Sequence, residues 1–180
     1  MNVCIFCGSS TGTNPIYAEV ARELALLLSQ NKCSLVYGGG NIGLMGIIAD
    51  EMLKNSARVI GVIPDFLVQR EVAHQGLSEL IVVATMHERK KYMADLTDFF
   101  IVLPGGMGTL DEMAEILTWK QLGLIDKPVG LLNVNGYFDP LIQQLEKMVN
   151  EGFLKRNNLL SIKIANNARQ LVTLLGVVAF

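Results

Sequence analysis

The sequence carries little charge and no block of basic residues. Charged residues make up 18% of the 180, and fifteen Lys and Arg against seventeen Asp and Glu leave a formal net charge of -2. Proteins that bind nucleic acid hold its phosphates through clustered Lys and Arg. This charge balance therefore argues against nucleic acid as a partner.

Long apolar runs and a leader-like start are also missing. The longest apolar run, "LVTLLGVVAF" at the C-terminus, is about half the length of a membrane span. The opening stretch "MNVCIFCGSS" has no basic region and no cleavable apolar segment. We therefore expect a cytoplasmic protein with no membrane partner.

Cysteine and histidine are scarce, with three and two residues. Cys4 and Cys7 are spaced as C-x-x-C, but Cys4 lies inside the predicted first strand, where residues three apart face opposite sides, whereas a redox pair begins a helix. A zinc site would need a second ligand pair. Because His74 and His87 have no partner at ligand spacing, we expect no metal site. We expect Cys4, Cys7 and Cys33 to be buried structural thiols.

Apolar residues, by contrast, make up 51% of the chain. That content suits the core of one domain, which we expect to span residues 1–180. Short apolar runs alternate with helical patterns, giving six strands and a final helix in "ARQLVTLLGVVAF". Such alternation predicts an α/β fold, a doubly wound, mostly parallel sheet with helices on both faces, as in Rossmann-like proteins.

Glycine is concentrated in three strand-to-helix turns. They are "CGSSTGTNP" after the first strand, "YGGGNIGLMG" after the second and "PGGMGT" after the fifth. Ligands of parallel sheets bind beyond the carboxyl ends of the strands. Glycine lets the backbone approach a ligand, and a helix start offers unbonded N–H groups and a positive dipole end. The three turns therefore predict a phosphorylated ligand.

The second turn also fits a dinucleotide-binding fingerprint. Gly38, Gly40 and Gly43 match G-x-G-x-x-G, and Asp65 lies near the distance expected for an acid that binds ribose. The match is weak, because the motif follows the second strand rather than the first. Glycines also serve tight turns that bind nothing.

The third turn has a purely structural interpretation of its own. Thr109 and Glu112 fit the capping box T-x-x-E, in which each side chain bonds the backbone N–H of the other. Capping boxes are a common helix-start signature, so the spacing alone favours a cap over chemistry.

The stretch "PGGMGTLDE", with "MHERKKYM" and "YGGGNIGLMG" upstream, resembles the Lonely Guy family of cytokinin-activating phosphoribohydrolases, whose hallmark is PGGxGTxxE. The resemblance runs from "CIFCGSS" to "ILTWKQLG". It implies the doubly wound fold, no cofactor, and hydrolysis of the N-glycosidic bond of an N6-modified adenosine 5'-monophosphate to free base and ribose 5-phosphate. Members are often labelled lysine decarboxylases. The sequence does not support that label, because no lysine lies in a sequence context typical of residues that anchor a cofactor.

The resemblance implies that Arg89 and Glu112 are catalytic. Cleavage builds positive charge on the ribose, so a carboxylate such as Glu112 suits a place near C1' and the 2'-hydroxyl. Arg89 offers a fork of donors for phosphate or ribose oxygens, although "HERKK" also fits a solvated helix face. The implied substrate-binding residues are Gly8, Ser9, Gly39, Gly40, Glu71, Lys90, Gly105, Gly106, Met107, Gly108, Thr109 and Thr118.

Two further carboxylates flank Glu112. Neighbours on a helix point about 100 degrees apart, so Asp111 is not expected to share the direction of Glu112, whereas Glu115 can. The sequence leaves open which of the two assists Glu112. It also leaves open whether a cytokinin nucleotide or AMP is the substrate, because the pocket around the N6 group decides this.

The helix "LDEMAEILTWKQLGL" carries apolar side chains on more than one face. One face packs on the sheet, so the other predicts a homodimer interface near Glu112; cover by the C-terminal segment is the alternative.

A second class of function also stays open. A nucleotide-binding or carrier protein of the same fold would keep the glycine turns without hydrolysing anything.

Overall fold

A computed structural model describes residues 1–68 and 73–177 of the chain. The strands are β1 (Asn2–Phe6), β2 (Ser34–Tyr37), β3 (Val59–Pro64), β4 (Glu79–Val83), β5 (Phe99–Val102), β6 (Val129–Leu132) and β7 (Ile162–Ala165). The helices are α1 (Ile16–Gln30), α2 (Gly43–Lys54), α3 (Met86–Leu96), α4 (Met107–Gln121), α5 (Asp139–Asn150), α6 (Arg156–Leu160) and α7 (Ala168–Leu174).

The strands form one sheet in the order β4-β3-β2-β1-β5-β6-β7, and neighbouring strands run parallel. This confirms the doubly wound α/β fold. From β1 the chain builds outward through β2, β3 and β4, then returns through α3 to place β5 on the other side of β1. A crevice forms beyond the carboxyl ends of β1 and β5, because the helices that follow them leave toward opposite faces.

The seventh strand was not in the sequence pattern. β7 is a four-residue edge strand that pairs with β6, and Lys163 on it is exposed. A short run with a polar residue in the middle lacks the continuous apolar character that marks buried parallel strands. The alternation rule therefore missed it.

Alternate residues of β1 enter two separate cores. Val3 and Ile5 pack toward α1, α2 and α7, whereas Cys4 and Phe6 pack toward α3, α4, α5 and α6. Cys7, three residues after Cys4, belongs to the first core. All three cysteines are free and buried, as expected. The C-x-x-C spacing thus reflects strand periodicity.

The C-terminal helix α7 packs on α1, β6 and β7. Its apolar side chains belong to the core on the α1 side of the sheet, whereas α4 lies on the other side. As far as Val177, the C-terminal segment therefore does not cover the second face of α4, and that alternative is wrong for the described part. No helix in the described ranges is long and apolar enough to cross a membrane.

Candidate active site

The first and third glycine turns are bonded to one another. The Gly8 N–H donates to the carbonyl of Pro104 at 3.0 Å. A Cβ on Gly105 would overlap the Thr109 side chain and approach the Gly8 nitrogen to 2.8 Å. Glycine is therefore required at position 105 for the close approach of the two turns.

The second glycine turn packs on the first in a similar way. The Leu44 N–H donates to the Gly8 carbonyl at 3.0 Å, and a Cβ on Gly43 would overlap the Ser9 backbone. Gly39 has a φ of +78° and accepts from the His74 N–H at 3.0 Å, while Gly40 bridges to Ala73. These glycines thus have structural roles that account for the fingerprint without a dinucleotide.

Asp65, the acid of that fingerprint, begins a short 3-10 turn after β3. Its carboxylate accepts from the Phe66 N–H at 2.6 Å. This local hydrogen bond holds the turn and needs no ribose.

Helix α3 begins with a reciprocal cap. The Thr85 hydroxyl accepts from the Glu88 N–H at 3.1 Å, and the Glu88 carboxylate accepts from the Ala84 N–H at 2.9 Å. The helix start is therefore fixed at Met86. This start turns Arg89 inward, while His87 faces solvent.

Arg89 is only 5% exposed, so the solvated-face interpretation is wrong for this residue. Its Nε donates to the Val62 carbonyl and its Nη2 to the Gly38 carbonyl, both at 3.1 Å. These carbonyls lie in the second half of β3 and directly after β2. The Nη1 group lies 3.8 Å from the sulfur of Met86. The guanidinium is thus held by the sheet end in one orientation.

Helix α4 begins at Met107 with Gly106 as its N-cap residue. A capping box at Thr109 and Glu112 would have required the helix to begin three residues later, so that prediction is wrong. Thr109 lies inside the first turn and is buried, and Glu112 lies in the second turn. The N–H groups of Met107 to Thr109 have no intrahelical acceptor, as at any helix start.

A cleft of about 270 Å³ opens between these elements. Its polar lining comprises Ser9, Arg89, Thr109, Asp111 and Glu112, beside the backbone of Gly8, Gly106 and Gly108. Its apolar lining comprises Cys7, Met45, Leu67, Met86 and Met107. The cleft therefore joins a buried cation, a carboxylate and a helix start, with an apolar wall beside them.

Cys7 is the one thiol among the described lining residues. Burial, and after it the negative charge of Glu112, raise the pKa of Cys7 far above its ordinary value. The same two causes raise the pKa of Cys4. Since the thiolate is the nucleophilic form, the raised pKa favours a neutral Cys7 thiol in the wall of the cleft.

Lys90 bridges α3 and α4. Its ammonium lies 2.6 Å from the Asp111 carboxylate and 3.0 Å from that of Glu115. Burial lowers the pKa of Lys90, but the two carboxylates more than offset this, so the pKa is raised. Asp111 and Glu115, four residues apart, thus share Lys90 on one face of α4. Of the two, Asp111 also lines the cleft with Glu112, and Glu115 is not among the described lining residues of the cleft.

Comparison with known proteins decides the family. A family model described as possible lysine decarboxylase matches residues 45–175. The phosphoribohydrolase LOG5 of Arabidopsis thaliana, which acts on cytokinin riboside 5'-monophosphate, is 46% identical over 170 residues, 94% of this chain and 75% of its own. LOG1 of the same plant is 48% identical, over 94% and 80%. The chain belongs to the Lonely Guy family.

Solved structures share the fold of this Lonely Guy chain at lower identity. The molybdenum cofactor carrier protein of Chlamydomonas reinhardtii superposes with a TM-score of 0.72 at 18% identity, covering 97% of this chain and 95% of the carrier. The molybdenum cofactor binding protein of Rippkaea orientalis gives 0.71 at 23%, covering 97% and 94%. At such identities the likeness concerns the fold alone.

Within this Lonely Guy chain the structure gathers most of the expected residues. Arg89 and Glu112 meet in the cleft with Gly8, Ser9, Gly106, Met107, Gly108 and Thr109. Gly105 borders a second cavity beside the cleft. The described lining residues of the cleft do not include Gly39, Gly40, Lys90 or Thr118. Glu71 lies outside the described residues.

Sequence reasoning missed the apolar wall formed by Met45 and Leu67. Met45 lies near the end of the second glycine turn, in the first turn of α2, and Leu67 follows β3 in the 3-10 turn. Single apolar residues near glycine turns carry no periodic signal. The only available hint was their position after strands that end at the same edge of the sheet.

Thr118 lies on a different surface, a groove of about 310 Å³ between α4, α5 and α6. The apolar side chains of the groove are Met113, Ala114, Leu117, Leu141, Leu145, Met148, Leu154 and Ile162. No side chain described in α5 is fully buried, although the helix has a clear apolar stripe. Part of the apolar surface of α4 therefore lines this groove, where Met113 is buried and Leu117 is half-buried.

Proposed function

We propose that this protein hydrolyses the N-glycosidic bond of N6-modified adenosine 5'-monophosphates, releasing the free base and ribose 5-phosphate. The observation that carries the proposal is the single cleft in which the buried Arg89 and the carboxylate of Glu112 lie beside the first turn of α4. Relatives 46% and 48% identical are named for this reaction on cytokinin nucleotides.

The 5'-phosphate is assigned to the start of α4. The N–H groups of Met107, Gly108 and Thr109 and the positive end of the helix dipole suit an anion. Gly106 and Gly108 carry no side chains, and a Cβ at either would meet no atom within 4 Å, so space for a ligand exists there. Phosphate bound at this point orients the sugar toward Glu112, one turn further on.

Glu112 is assigned to the sugar. As the glycosidic bond breaks, positive charge develops at C1' and the ring oxygen, and a nearby carboxylate stabilises it or activates the attacking water. Its negative charge already acts on the cleft, since it is the second cause, after burial, of the raised pKa of Cys7. The purine leaves with the bonding electron pair and takes a proton.

Arg89 is assigned to orientation and charge. With Nε and Nη2 donating to backbone carbonyls, its guanidinium approaches the cleft in a fixed pose near Met86. A fixed cation can hold ribose or phosphate oxygens without reorganisation during the reaction. Lys90 is assigned a supporting role, in which it holds α3 against α4 and thereby sets Arg89 relative to Glu112.

The apolar wall is assigned to the base and its N6 group. Met45, Leu67 and Met86 offer soft, adaptable contacts to a flat ring and an alkyl substituent. A hydrophobic pocket discriminates by only about 1–3 kcal/mol per methylene group. We therefore expect cytokinin nucleotides to be preferred over AMP, with AMP still cleaved.

A nucleotide panel tests the proposal. The protein is incubated with AMP and isopentenyladenosine 5'-monophosphate, and in parallel with the matching nucleosides, and free base is measured by chromatography. We expect base from the monophosphates and not from the nucleosides. Equal cleavage of adenosine and AMP would remove the phosphate from the proposal. Nucleotide binding without release of base would favour the non-catalytic carrier instead.

The groove supports a homodimer, which is also part of this proposal. Thr118 in the groove and Glu112 in the cleft lie six residues apart on α4, about 9 Å along the axis. A second copy seated on the groove therefore comes close to the cleft of the first. Thr118 is not among the described lining residues of its own cleft, and in a two-fold dimer we propose that it serves the cleft of the second copy. The free, buried thiols fit a reducing compartment such as the cytoplasm.

A further inference from the structure

Tyr137 lies outside the family hallmark, yet its side chain reaches the hallmark turn. Its hydroxyl donates a hydrogen bond of 2.5 Å to the carbonyl of Gly105, which is 32 residues away in sequence. This carbonyl belongs to the peptide that links Gly105 to Gly106, the N-cap residue of α4.

The turn that carries Tyr137 is held firmly. The side chain of the buried Asn133 accepts from the Phe138 N–H and donates to Asp139, both at 2.7 Å. The Tyr137 ring stands edge-on to Phe138, with ring centroids 5.0 Å apart, and to Tyr17, at 5.7 Å. The position of the hydroxyl is therefore set before any ligand arrives.

The bond to Gly105 also sets the direction of the next N–H group. A trans peptide points its carbonyl and its N–H to opposite sides. Tyr137 and Gly105 border the second cavity, whereas Gly106 borders both that cavity and the cleft. With the Gly105 carbonyl turned toward Tyr137, the Gly106 N–H points away from Tyr137, and Gly106 itself borders the cleft.

Packing alone does not hold this peptide at its Gly106 end. A Cβ built on Gly106 would meet no atom within 4 Å, so no neighbouring group packs against this side of the residue. Glycine tolerates φ angles of both signs, which leaves the peptide free to rotate. The tyrosine hydrogen bond supplies the restraint that packing does not.

We propose that Tyr137 is a positioning residue, which fixes the Gly105–Gly106 peptide so that the Gly106 N–H joins the first-turn amides of α4 in holding a phosphate group. The inference rests on the proposed function, in which this turn holds the 5'-phosphate of the nucleotide. It adds a residue to the anion site that contacts neither the phosphate nor the reacting sugar.

The first test compares Tyr137→Phe with a matched control, Tyr17→Phe. Both changes remove one phenol hydroxyl from the second cavity and keep the ring, but in the described residues Tyr17 makes no hydrogen bond through its hydroxyl. Binding of ribose 5-phosphate is measured by calorimetry. We expect about tenfold weaker binding for Tyr137→Phe and wild-type binding for Tyr17→Phe. Equal affinity of all three proteins, or no binding by the wild type, would overturn the inference.

The second test follows the peptide itself. In a nitrogen-15 NMR titration with ribose 5-phosphate, the Gly106 amide signal should shift in the wild type and in Tyr17→Phe, and much less in Tyr137→Phe. Loss of the shift for every amide of the turn alike would indicate general unfolding and would count against a specific role.

Kinetics separates this inference from the proposed function. For nucleoside monophosphates, Tyr137→Phe should raise KM by about tenfold and lower kcat less. If the wild type binds ribose 5-phosphate but releases no base from any nucleotide, the proposed function fails, while the comparison of affinities still decides the role of Tyr137.

Discussion

Helix α4 presents two unlike surfaces, the cleft at its start and the groove along its middle. The cleft is built from backbone groups and fixed charges, and its buried cation makes two hydrogen bonds to carbonyls. The groove is lined mainly by apolar side chains. No side chain described in α5, which forms one wall of the groove, is fully buried. In the cleft a change of one atom should therefore matter, whereas in the groove the apolar area should matter more than any single atom.

The sharpest change to the cleft is Glu112→Gln, which keeps the size of the side chain and removes its charge. We expect turnover of nucleoside monophosphates to fall by roughly 10²- to 10⁴-fold, the usual effect of losing a positioned acid or base. Glu115→Gln, one turn further along α4 and paired with Lys90, should lose less than about tenfold. Normal hydrolysis by Glu112→Gln would remove Glu112 from the mechanism.

The interpretation of Glu112 depended on a helix start that spacing alone misplaced. T-x-x-E occurs at Thr85 to Glu88 and again at Thr109 to Glu112, but only the first pair caps a helix. In the second, Gly106 begins the helix earlier, and glycine is an acceptable N-cap. The T-x-x-E motif is visible in the sequence at both places. Which of the two pairs caps a helix depends on the tertiary packing of the glycine turns.

Arg89→Lys tests whether charge alone suffices in the cleft. A lysine ammonium cannot reproduce the planar fork that bonds the carbonyls of Val62 and Gly38, so we expect the cation to be misplaced and kcat/KM to fall by about 100-fold. The free energy of unfolding should fall by about 1–3 kcal/mol, because a buried carbonyl loses its partner. The measurements are steady-state kinetics and denaturant unfolding.

A matched control for this change is Arg58→Lys. Arg58 is exposed and pairs with Glu79 at 2.6 Å, so activity should stay at the wild-type level. If Arg89→Lys kept the wild-type rate and affinity, the fixed geometry of the guanidinium would not matter, and the role of Arg89 would be electrostatic only.

The groove is tested by Leu145→Asp, which places a charge among its apolar side chains. If a second copy occupies the groove, light scattering at micromolar concentration should change from the mass of a dimer to about 19.7 kDa. Activity should fall by about tenfold, since the partner no longer completes the cleft. Leu26→Asp, an exposed position on α1 across the sheet, should stay dimeric and active. A fully active wild-type monomer would reject the dimer.

The fold and the site differ in how far the sequence predicts them. Alternating strands and helices indicate the fold because each element is local, and six of the seven strands followed from their apolar runs. The burial of Arg89 does not follow, since its acceptors Val62 and Gly38 lie 27 and 51 residues away. The resemblance to the Lonely Guy family pointed to Arg89, and only the packed sheet end explains why it is held.

The smallest expected effect belongs to Lys90→Met, which removes the bridge between α3 and α4. If Lys90 positions Arg89 relative to Glu112, kcat should fall by several-fold and the free energy of unfolding by about 1 kcal/mol, with KM little changed. If Lys90 instead contacts the substrate directly, KM should rise strongly and stability should hold. Lys91→Met, which breaks only an exposed pair with Asp95, is the matched control.

The pH dependence of this effect has a definite sign. Because the folded pKa of Lys90 is raised, the bridge contributes fully below the unfolded pKa of about 10.4 and is lost as the pH rises through the folded value. The stability difference between wild type and Lys90→Met should therefore be constant from about pH 7 to 9 and shrink only at more alkaline pH. A difference that already vanished near neutral pH would show that the ammonium does not hold the two carboxylates in solution.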